Sequence, residues 1–292
     1  MIVVTSPTGQ IGRQVLDRVL EGDEPVRVIA RDPSRLPSGT RERVEVVEGS
    51  HADRDVVDQA FAGADAVFWL VPPDPHAPSV RAAYLDFSRP ACEAFRSQGV
   101  DRVVGVSALG RGFAGNAGLV SASLEMDDMI ASTGVSYRAL AMPSFMDNLL
   151  RQVEPIRNHG VFVTPIAGDR RMPTCATRDI AAVAAGLILD RSWSGQGTVP
   201  VLGPEDLSFD EMAQIMSEVL GRQVRYQQIP GEALKERLTG QGMSEPMAQG
   251  MVDMMAAKNE GLDNAEPRTP EATTPTTFRQ WCEEVLEPAV SA

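Results

Sequence analysis

A turn near the start of the chain carries the residues best suited to bind a phosphate group. It reads Ser6-Pro7-Thr8-Gly9-Gln10-Ile11-Gly12 and lies between an apolar run, Ile2–Thr5, and an amphipathic stretch with helical spacing. Small residues let the backbone approach a pyrophosphate, and the amides and dipole at the start of a helix attract its charge. We therefore expect a dinucleotide to bind at Ser6, Thr8, Gly9, Gln10, Ile11 and Gly12.

Ser6 stands at the position where such turns usually have their first glycine. We expect a serine to serve there if its backbone keeps a negative φ, and its hydroxyl would add a contact to the phosphate. The alternative is a doubly wound sheet whose turn has lost its ligand.

The residue that ends the second apolar run indicates which dinucleotide is bound. Val26–Ala30 is followed by Arg31, whereas NAD-binding units usually have Asp or Glu there to accept hydrogen bonds from the ribose hydroxyls. An arginine at this position suits a 2′-phosphate, and Arg35 is placed to assist it. We therefore predict NADP(H) as the cofactor, the alternative being that both arginines are ordinary solvated surface residues.

Groups for proton transfer are scarce in this sequence. The lysines are Lys235 and Lys258, so residues 1–234 hold no catalytic lysine, and no tyrosine has a lysine four residues later. Ser107, after the fifth apolar run, and His76, in the loop after the fourth, are the candidate catalytic groups. A single loop histidine is more often a surface residue, and no His or Cys cluster has the spacing of a metal site.

Apolar runs alternate with helical patterns through the first two thirds of the chain, which predicts βαβ units and a parallel sheet. The predicted strands are Ile2–Thr5, Val26–Ala30, Val44–Val47, Ala66–Val71, Arg102–Val106 and Ser136–Ala141. The predicted helices between them are Gly12–Glu21, Asp53–Phe61, Val80–Gln98 and Ser121–Ser132. Right-handed crossovers would bring the loops that follow the strands to one crevice.

The pattern changes after Asn148, which predicts a Rossmann-like nucleotide-binding domain over 1–150 and a smaller α/β substrate lobe over 151–292. Strands are predicted at Gly160–Val163, Thr198–Leu202 and Val224–Ile229. Helices are predicted at Thr177–Leu189, Ser208–Leu220 and Thr277–Leu286, and the methionine-rich segment Gly231–Lys258 is also helical in pattern. Ser208 and Glu211 have the spacing of a capping box.

Composition and charge exclude several classes of partner. The formal charge of −13 argues against nucleic acid and anionic membranes, because phosphate binding draws on clustered Lys and Arg. No run approaches the roughly 20 apolar residues that span a bilayer. Three scattered cysteines, Cys92, Cys175 and Cys282, fit a reducing compartment. We expect a cytoplasmic protein, with a homodimer as the candidate assembly.

Several motifs, spread over nearly the whole chain, resemble those of the NmrA-like group of atypical short-chain dehydrogenases. The turn Thr5–Gly12 is similar to the group's TGATGxxG turn, and Ala30-Arg31-Asp32-Pro33 to its R-[ND]-P stretch. Asp65–Pro73 resembles its fourth strand and turn, Ser144–Asn148 its F-M-[ED]-N motif, and Thr177–Ala181 the start of a later helix.

The resemblance implies roles for further residues. Val71 and Pro72 would lie beside the nicotinamide ribose. The substrate cleft would include Ser144, Phe145, Met146 and Asn148. Two departures stand out. Ser123, two residues ahead of Glu125, lies where many relatives have a catalytic lysine. Gly49-Ser50-His51 replaces the usual Gly-Asp, which leaves the adenine contact open.

These residues favour one reaction over the others. Hydride transfer to a quinone or another conjugated aromatic molecule needs no strong protein acid, because solvent can protonate the product. We expect Phe113, with Phe145, Met146 and Trp69, to offer an apolar wall for such a substrate; for Trp69 a core position is the stronger interpretation. Two alternatives stay open: a non-catalytic NADP-sensing regulator, and an isomerase or cyclase on the same scaffold.

Overall fold

The computed structural model describes residues 1–292, which separate into two compact units. The first comprises Met1–Ala108, Ala122–Ala141 and Ile180–Val199, and the second comprises Leu109–Ser121, Met142–Asp179 and Pro200–Ala292. The chain therefore enters the first unit three times. The predicted domains, 1–150 and 151–292, concern which parts of the chain fold independently, and that division stays a prediction.

Twelve strands form three sheets. They are β1 (Ile2–Thr5), β2 (Val26–Ala30), β3 (Glu45–Glu48), β4 (Ala66–Trp69), β5 (Arg102–Val106), β6 (Ser136–Ala141), β7 (Ser144–Phe145), β8 (Val161–Thr164), β9 (Met172–Cys175), β10 (Gln196–Pro200), β11 (Asp206–Leu207) and β12 (Arg225–Gln228). The largest sheet has the order β10-β6-β5-β4-β1-β2-β3, and the five pairs from β6 to β3 are parallel. The predicted Rossmann-like α/β fold is confirmed, since the order reverses between β1 and β4 as in doubly wound sheets.

Twelve α-helices follow or separate these strands. They are α1 (Gln10–Val19), α2 (Ser38–Arg41), α3 (Arg54–Phe61), α4 (Phe87–Ser97), α5 (Leu119–Ala131), α6 (Val153–His159), α7 (Thr177–Leu189), α8 (Phe209–Leu220), α9 (Gly231–Gly240), α10 (Glu245–Asn259), α11 (Phe278–Trp281) and α12 (Glu287–Ser291). Shorter 3₁₀ segments lie at Pro33–Arg35, Met146–Gln152 and Leu262–Asn264, and π-helical turns at Ala82–Asp86 and Cys282–Leu286. None of these helices has the length and apolar character needed to cross a bilayer.

The core of the first unit follows the period-2 pattern of its strands. Val3 and Val67 point to the face that α3 and α4 cover, where the Phe61 and Phe95 rings stack with centroids 5.1 Å apart. Trp69, the last residue of β4, is fully buried in the same cluster, which agrees with the core position favoured for it in the sequence analysis. Each buried aromatic of this size contributes on the order of 2 kcal/mol through burial of apolar area.

The second unit has a separate core and two small sheets. β7, β9 and β11 pair in the order β11-β9-β7, while β12 pairs with β8 in parallel. Its apolar cluster gathers Phe162, Phe209, Phe278 and Trp281. The predicted capping box of α8 is confirmed, because Ser208 Oγ accepts from the Glu211 amide at 3.2 Å and Glu211 Oε2 accepts from the Ser208 amide at 2.8 Å.

The element bounds differ from the predicted ones where backbone chemistry overrides the apolar pattern. β4 ends at Trp69 and not at Val71, because the Leu70 amide donates to the Thr5 hydroxyl and the Leu70 carbonyl accepts from His51, and Pro72 has no N–H to continue a ladder after Val71. The two-residue strands β7 and β11 and the strand β9 were not predicted. The two-residue segments are too short to show a period of two, and in β9 a proline, Pro173, argues against a strand.

Candidate functional site

The turn after β1 is built around a left-handed serine. Ser6 has φ +53°, and it is the one residue other than glycine with a positive φ. The negative φ that was set as the condition for a serine at this position is therefore not met. The turn needs the same backbone conformation that a glycine would supply, and a serine adopts it at a cost of about 1–2 kcal/mol. The amide of Gly9 donates to the Ser6 carbonyl at 3.0 Å, which closes the turn.

Gly12 is required by how closely the turn approaches α1. A Cβ on Gly12 would lie 2.1 Å from the Ser6 carbonyl oxygen and 3.0 Å from that of Thr5. Both are backbone atoms, so no side chain fits without moving the turn. Thr5 fixes the turn from the other side, because its hydroxyl donates to the Phe68 carbonyl and accepts from the Leu70 amide, both at 2.9 Å.

The start of α1 is left open toward an anion. Gly9 is the N-cap residue and offers no side-chain acceptor to the first amides, and the first turn of the helix has no acidic residue. Thr8 is half-buried, Gln10 is exposed and Ile11 is buried beneath the helix start. The Ser6–Gly12 turn and the uncapped start of α1 together form a cradle for a pyrophosphate. The free amides and the helix dipole there both favour negative charge.

The carboxyl end of β2 presents positive charge to solvent. Arg31 and Arg35 are both exposed, while Asp32 between them turns back on its own loop. Its Oδ1 accepts from the Ser34 amide at 3.0 Å and from the Ser34 hydroxyl at 2.6 Å. These bonds and Arg35 lower the pKa of Asp32. The one carboxylate of this loop is therefore occupied locally, and the arginines are the groups free to meet a charged ligand.

A buried histidine shares a hydrogen-bond acceptor, the Leu70 carbonyl, with Ser6 of the Ser6–Gly12 turn. His51 follows β3 and is 6% exposed, with its ring edge-on to Trp69 at 5.2 Å and to Phe87 at 4.8 Å. Burial lowers the pKa of His51 to about 4, although its bond to the Leu70 carbonyl acts in the opposite direction. The ring is neutral at pH 7, and Nε2 carries the proton because the Leu70 carbonyl, 3.0 Å away, only accepts.

The Leu70 carbonyl joins this histidine to the turn. It accepts from His51 Nε2 and, at the longer distance of 3.4 Å, from Ser6 Oγ. Val71 and Pro72, the predicted contacts to the nicotinamide ribose, come directly after it and are buried and half-buried. The exit of β4 is thus held to the exit of β1 by the Ser6 side chain and to the exit of β3 by the His51 side chain.

A second polar group lies under the end of β5. Ser107 Oγ donates to Asp127 Oδ2, and the Tyr137 hydroxyl donates to Asp127 Oδ1 at 2.6 Å. All three side chains are buried. Gly105 makes room for the ring, because a Cβ there would lie 2.2 Å from the Tyr137 oxygen. A buried carboxylate is thereby satisfied by two hydroxyl donors from β6 and the β5 exit.

The other two candidate catalytic residues, Ser123 and His76, do not belong to this hydrogen-bonded group. Ser123 is buried on α5, and His76 is exposed in the loop after β4, where its backbone amide donates to Asp74 Oδ1 at 2.9 Å. Their catalytic roles stay predictions. The structure contains no cluster of three or more His, Cys, Asp or Glu side chains that could hold a metal ion.

The predicted substrate-side residues belong to the second unit. Phe113, Ser144 and Phe145 are half-buried, and Asn148 is exposed. Met146 is 3% exposed and packs in the core of that unit, so it is less accessible to a ligand than its neighbours. The roles of these five residues stay predictions.

Asp147, inside the same motif, has a local structural partner. Its two carboxylate oxygens accept from the amide and the hydroxyl of Thr177, each at 2.9 Å. Thr177 begins α7, so the carboxylate caps the start of that helix, where a negative charge is favourable.

Family comparisons agree with this geometry. Residues 7–191 match the NAD(P)H-binding family, and residues 121–283 match the NmrA-like family. The chain belongs to the NmrA-like family of NAD(P)H-binding proteins.

Individual relatives cover nearly the whole chain. A (4-alkanoyl-5-oxo-2,5-dihydrofuran-3-yl)methyl phosphate reductase of Streptomyces griseus is 31% identical over 292 residues, 98% of each chain. The NAD(P)H azoreductase of Xenophilus azovorans is 29% identical over 88% of this chain and 86% of its own. The NADPH-dependent quinone oxidoreductase of Escherichia coli, solved with NADPH, has a TM-score of 0.78 at 22% identity, over 100% of this chain and 99% of its own, a likeness that shows the fold.

Membership of the NmrA-like family confirms the predicted family, the NAD(P)H cofactor and the oxidoreductase class. Sequence reasoning missed Asp127 and Tyr137, and treated His51 only as a departure from the family pattern. One signal was present: an isolated glycine inside a strand, here Gly105, often marks the close approach of another group. That group is the Tyr137 ring.

Proposed function

We propose that this protein is an NADPH-dependent reductase that transfers hydride directly to a quinone or another conjugated aromatic small molecule, without a Tyr-Lys pair. When bound, NADPH supplies the hydride. The chain's own residues bind the dinucleotide, orient it and exclude water from it.

The cradle followed by Arg31 is the observation that carries the cofactor part of this proposal. The Ser6–Gly12 turn has the shape and the uncapped helix start that a pyrophosphate needs. Arg31 and Arg35 stand exposed at the end of β2, while Asp32 is bonded to Ser34. Positive charge without a free carboxylate favours a 2′-phosphate over bare ribose hydroxyls.

The proton inventory supports an acceptor that needs no protein acid. No lysine precedes Lys235 in the sequence. The Tyr137 hydroxyl donates to Asp127, and burial raises the pKa of Tyr84 to about 12. A simple ketone needs a proton donor as its oxygen gains charge, whereas a quinone delocalises that charge and takes its protons from water.

The reductions named for the relatives point the same way. An azo group, a quinone and an alkanoyl dihydrofuranone are all conjugated, electron-poor acceptors. We infer that Phe113, Phe145, Ser144 and Asn148 contact such a substrate in this chain. Met146 supports these residues from the core of its unit.

A calorimetric titration tests the cofactor. The dissociation constant of the wild type for NADPH should lie well below the physiological NADPH concentration. Arg31→Ala should raise this constant at least about tenfold, because one charge-assisted contact to the 2′-phosphate is lost. NADH binding should change little. Arg41→Ala, an exposed arginine in α2, is the matched control.

The remaining outcomes separate the alternatives. Failure to bind either nucleotide would contradict the reductase and the redox sensor together. Tight binding with no turnover on a panel of quinones and azo compounds would favour the NADP-sensing regulator. A homodimer and a cytoplasmic location stay predictions, and light scattering on the purified protein measures the first of them.

A further inference from the structure

The buried Ser107–Asp127–Tyr137 group has a fixed direction of proton donation. A serine hydroxyl has one proton and two lone pairs, and an ionised carboxylate can only accept. Asp127 receives the Ser107 proton on Oδ2 and the Tyr137 proton on Oδ1. With its single proton committed to Asp127, Ser107 Oγ has only lone pairs left for any other partner.

Neighbouring residues hold both ends of the Ser107–Asp127 hydrogen bond in place. Gly105 lets the Tyr137 ring lie over β5, and the Ser107 amide donates to the Leu140 carbonyl at 3.0 Å. The backbone of Ser107 and the carboxylate that it faces are therefore both held in place. The serine has one preferred hydroxyl direction and not three.

We propose that Asp127 is a positioning residue that makes Ser107 an obligate hydrogen-bond acceptor, and that the donor Ser107 receives is the carboxamide N–H of the nicotinamide ring. The proposal rests on the NADPH-binding function proposed above. Ser107 then accepts a hydrogen bond from the cofactor and does not act as an acid that protonates the substrate.

The strand order supports this choice of donor. In sheets ordered as here, one mononucleotide half lies over β1, β2 and β3 and the other over β4, β5 and β6, at the carboxyl ends of the strands. The arginines at the β2 exit mark the adenosine half. Ser107, at the β5 exit, belongs to the half that receives the nicotinamide. A carboxamide offers two N–H donors, and a ketone in its place offers none.

Two reduced cofactors test the proposal directly: NADPH, and its 3-acetylpyridine analogue, in which a methyl ketone replaces the carboxamide. Titration calorimetry on the wild type should show NADPH binding about tenfold tighter than the analogue, the size of one hydrogen bond in a dry site. Ser107→Ala should reduce this ratio to within about threefold.

Asp127→Asn separates positioning from mere structure. The amide can donate to Ser107 and accept from Tyr137, so the fold keeps its bonds while the Ser107 proton is released to point outward. The ratio between the two cofactors should again fall to within about threefold. Tyr137→Phe is the matched control: it removes a bond to the same carboxylate and leaves the Ser107 proton on Asp127, so the ratio should stay near tenfold.

A nucleotide without the nicotinamide separates binding at the cofactor site from the role of Asp127. We expect 2′-phospho-ADP-ribose to bind the wild type and all three variants alike. If it binds and the ratio between the two cofactors is the same in wild type, Ser107→Ala and Asp127→Asn, the role of Asp127 is refuted and the cofactor site stands. If neither it nor NADPH binds the wild type, the proposed function fails and the inference fails with it.

Discussion

Mild acid should destabilise this protein through one buried histidine, His51. The ring is 6% exposed, lies edge-on to Trp69 and Phe87, and has its pKa lowered to about 4 from an ordinary 6.5. The unfolded chain therefore binds a proton at a pH where the folded protein does not. Stability that is present above pH 6.5 is lost as the pH falls toward 4.

The size of this loss follows from the two pKa values. A tenfold change in a protonation equilibrium is worth about 1.4 kcal/mol, so the full difference corresponds to about 3 kcal/mol. About 2 kcal/mol of it is lost between pH 7 and pH 5. Carboxyl groups with a lowered pKa, such as Asp65 beside the N-terminal ammonium, lose their contribution mainly at lower pH.

Urea unfolding at half-unit intervals from pH 7.5 to pH 5 measures the effect as a free energy of unfolding. His51→Gln keeps an amide donor for the Leu70 carbonyl but cannot titrate, so its stability should change by less than about 0.5 kcal/mol over the same range. The exposed His76 gives the matched control, and His76→Gln should follow the wild-type curve. A wild-type curve that is flat to pH 5, or one that His51→Gln leaves unchanged, would show that His51 is not the source of the acid sensitivity.

Three further substitutions test the turn and the buried carboxylate. Gly12→Ala should abolish NADPH binding or folding, because its Cβ would meet the Ser6 carbonyl at 2.1 Å, whereas Gly39→Ala, with open space around it, should leave both unchanged in calorimetry. Ser6→Gly should alter the free energy of unfolding by no more than about 1 kcal/mol, since relief of the left-handed strain offsets the added chain entropy; a larger loss contradicts that strain. Tyr137→Phe should cost about 2 kcal/mol in urea unfolding, while Tyr84→Phe, whose hydroxyl has no hydrogen bond, should cost under about 1; equal costs would refute a role for the Asp127 bond.

The nucleotide-binding half could be predicted in some detail from the sequence. Long apolar runs such as Val26–Ala30 fix strands by their composition, and a glycine pair in the right place fixes the turn after β1. The β1, β2, β5 and β6 bounds match the predicted ones. Local pattern is sufficient here because each element is several residues long and the chain order sets the sheet.

The remaining features depend on residues far apart in the chain. Asp127 and Tyr137 look like an ordinary helix carboxylate and an ordinary strand aromatic until folding joins them to Ser107. The positive φ of Ser6 was not predicted, because residue type alone indicates a preference for negative φ and the geometry of the turn overrides it. His51 became significant only through the aromatic rings that bury it.

Hydride transfer from NADPH to a quinone is the reaction that defines the proposed function, and it can be measured directly. NADPH and menadione are mixed with the purified protein without oxygen, and absorbance at 340 nm is followed, with cyclohexanone as the simple-ketone control. We predict oxidation of NADPH by the quinone, slowed by deuterium at the transferred position, and none above background with the ketone. Tight NADPH binding with no oxidation by menadione or any other conjugated acceptor, or equal turnover of the ketone, would contradict the proposed function.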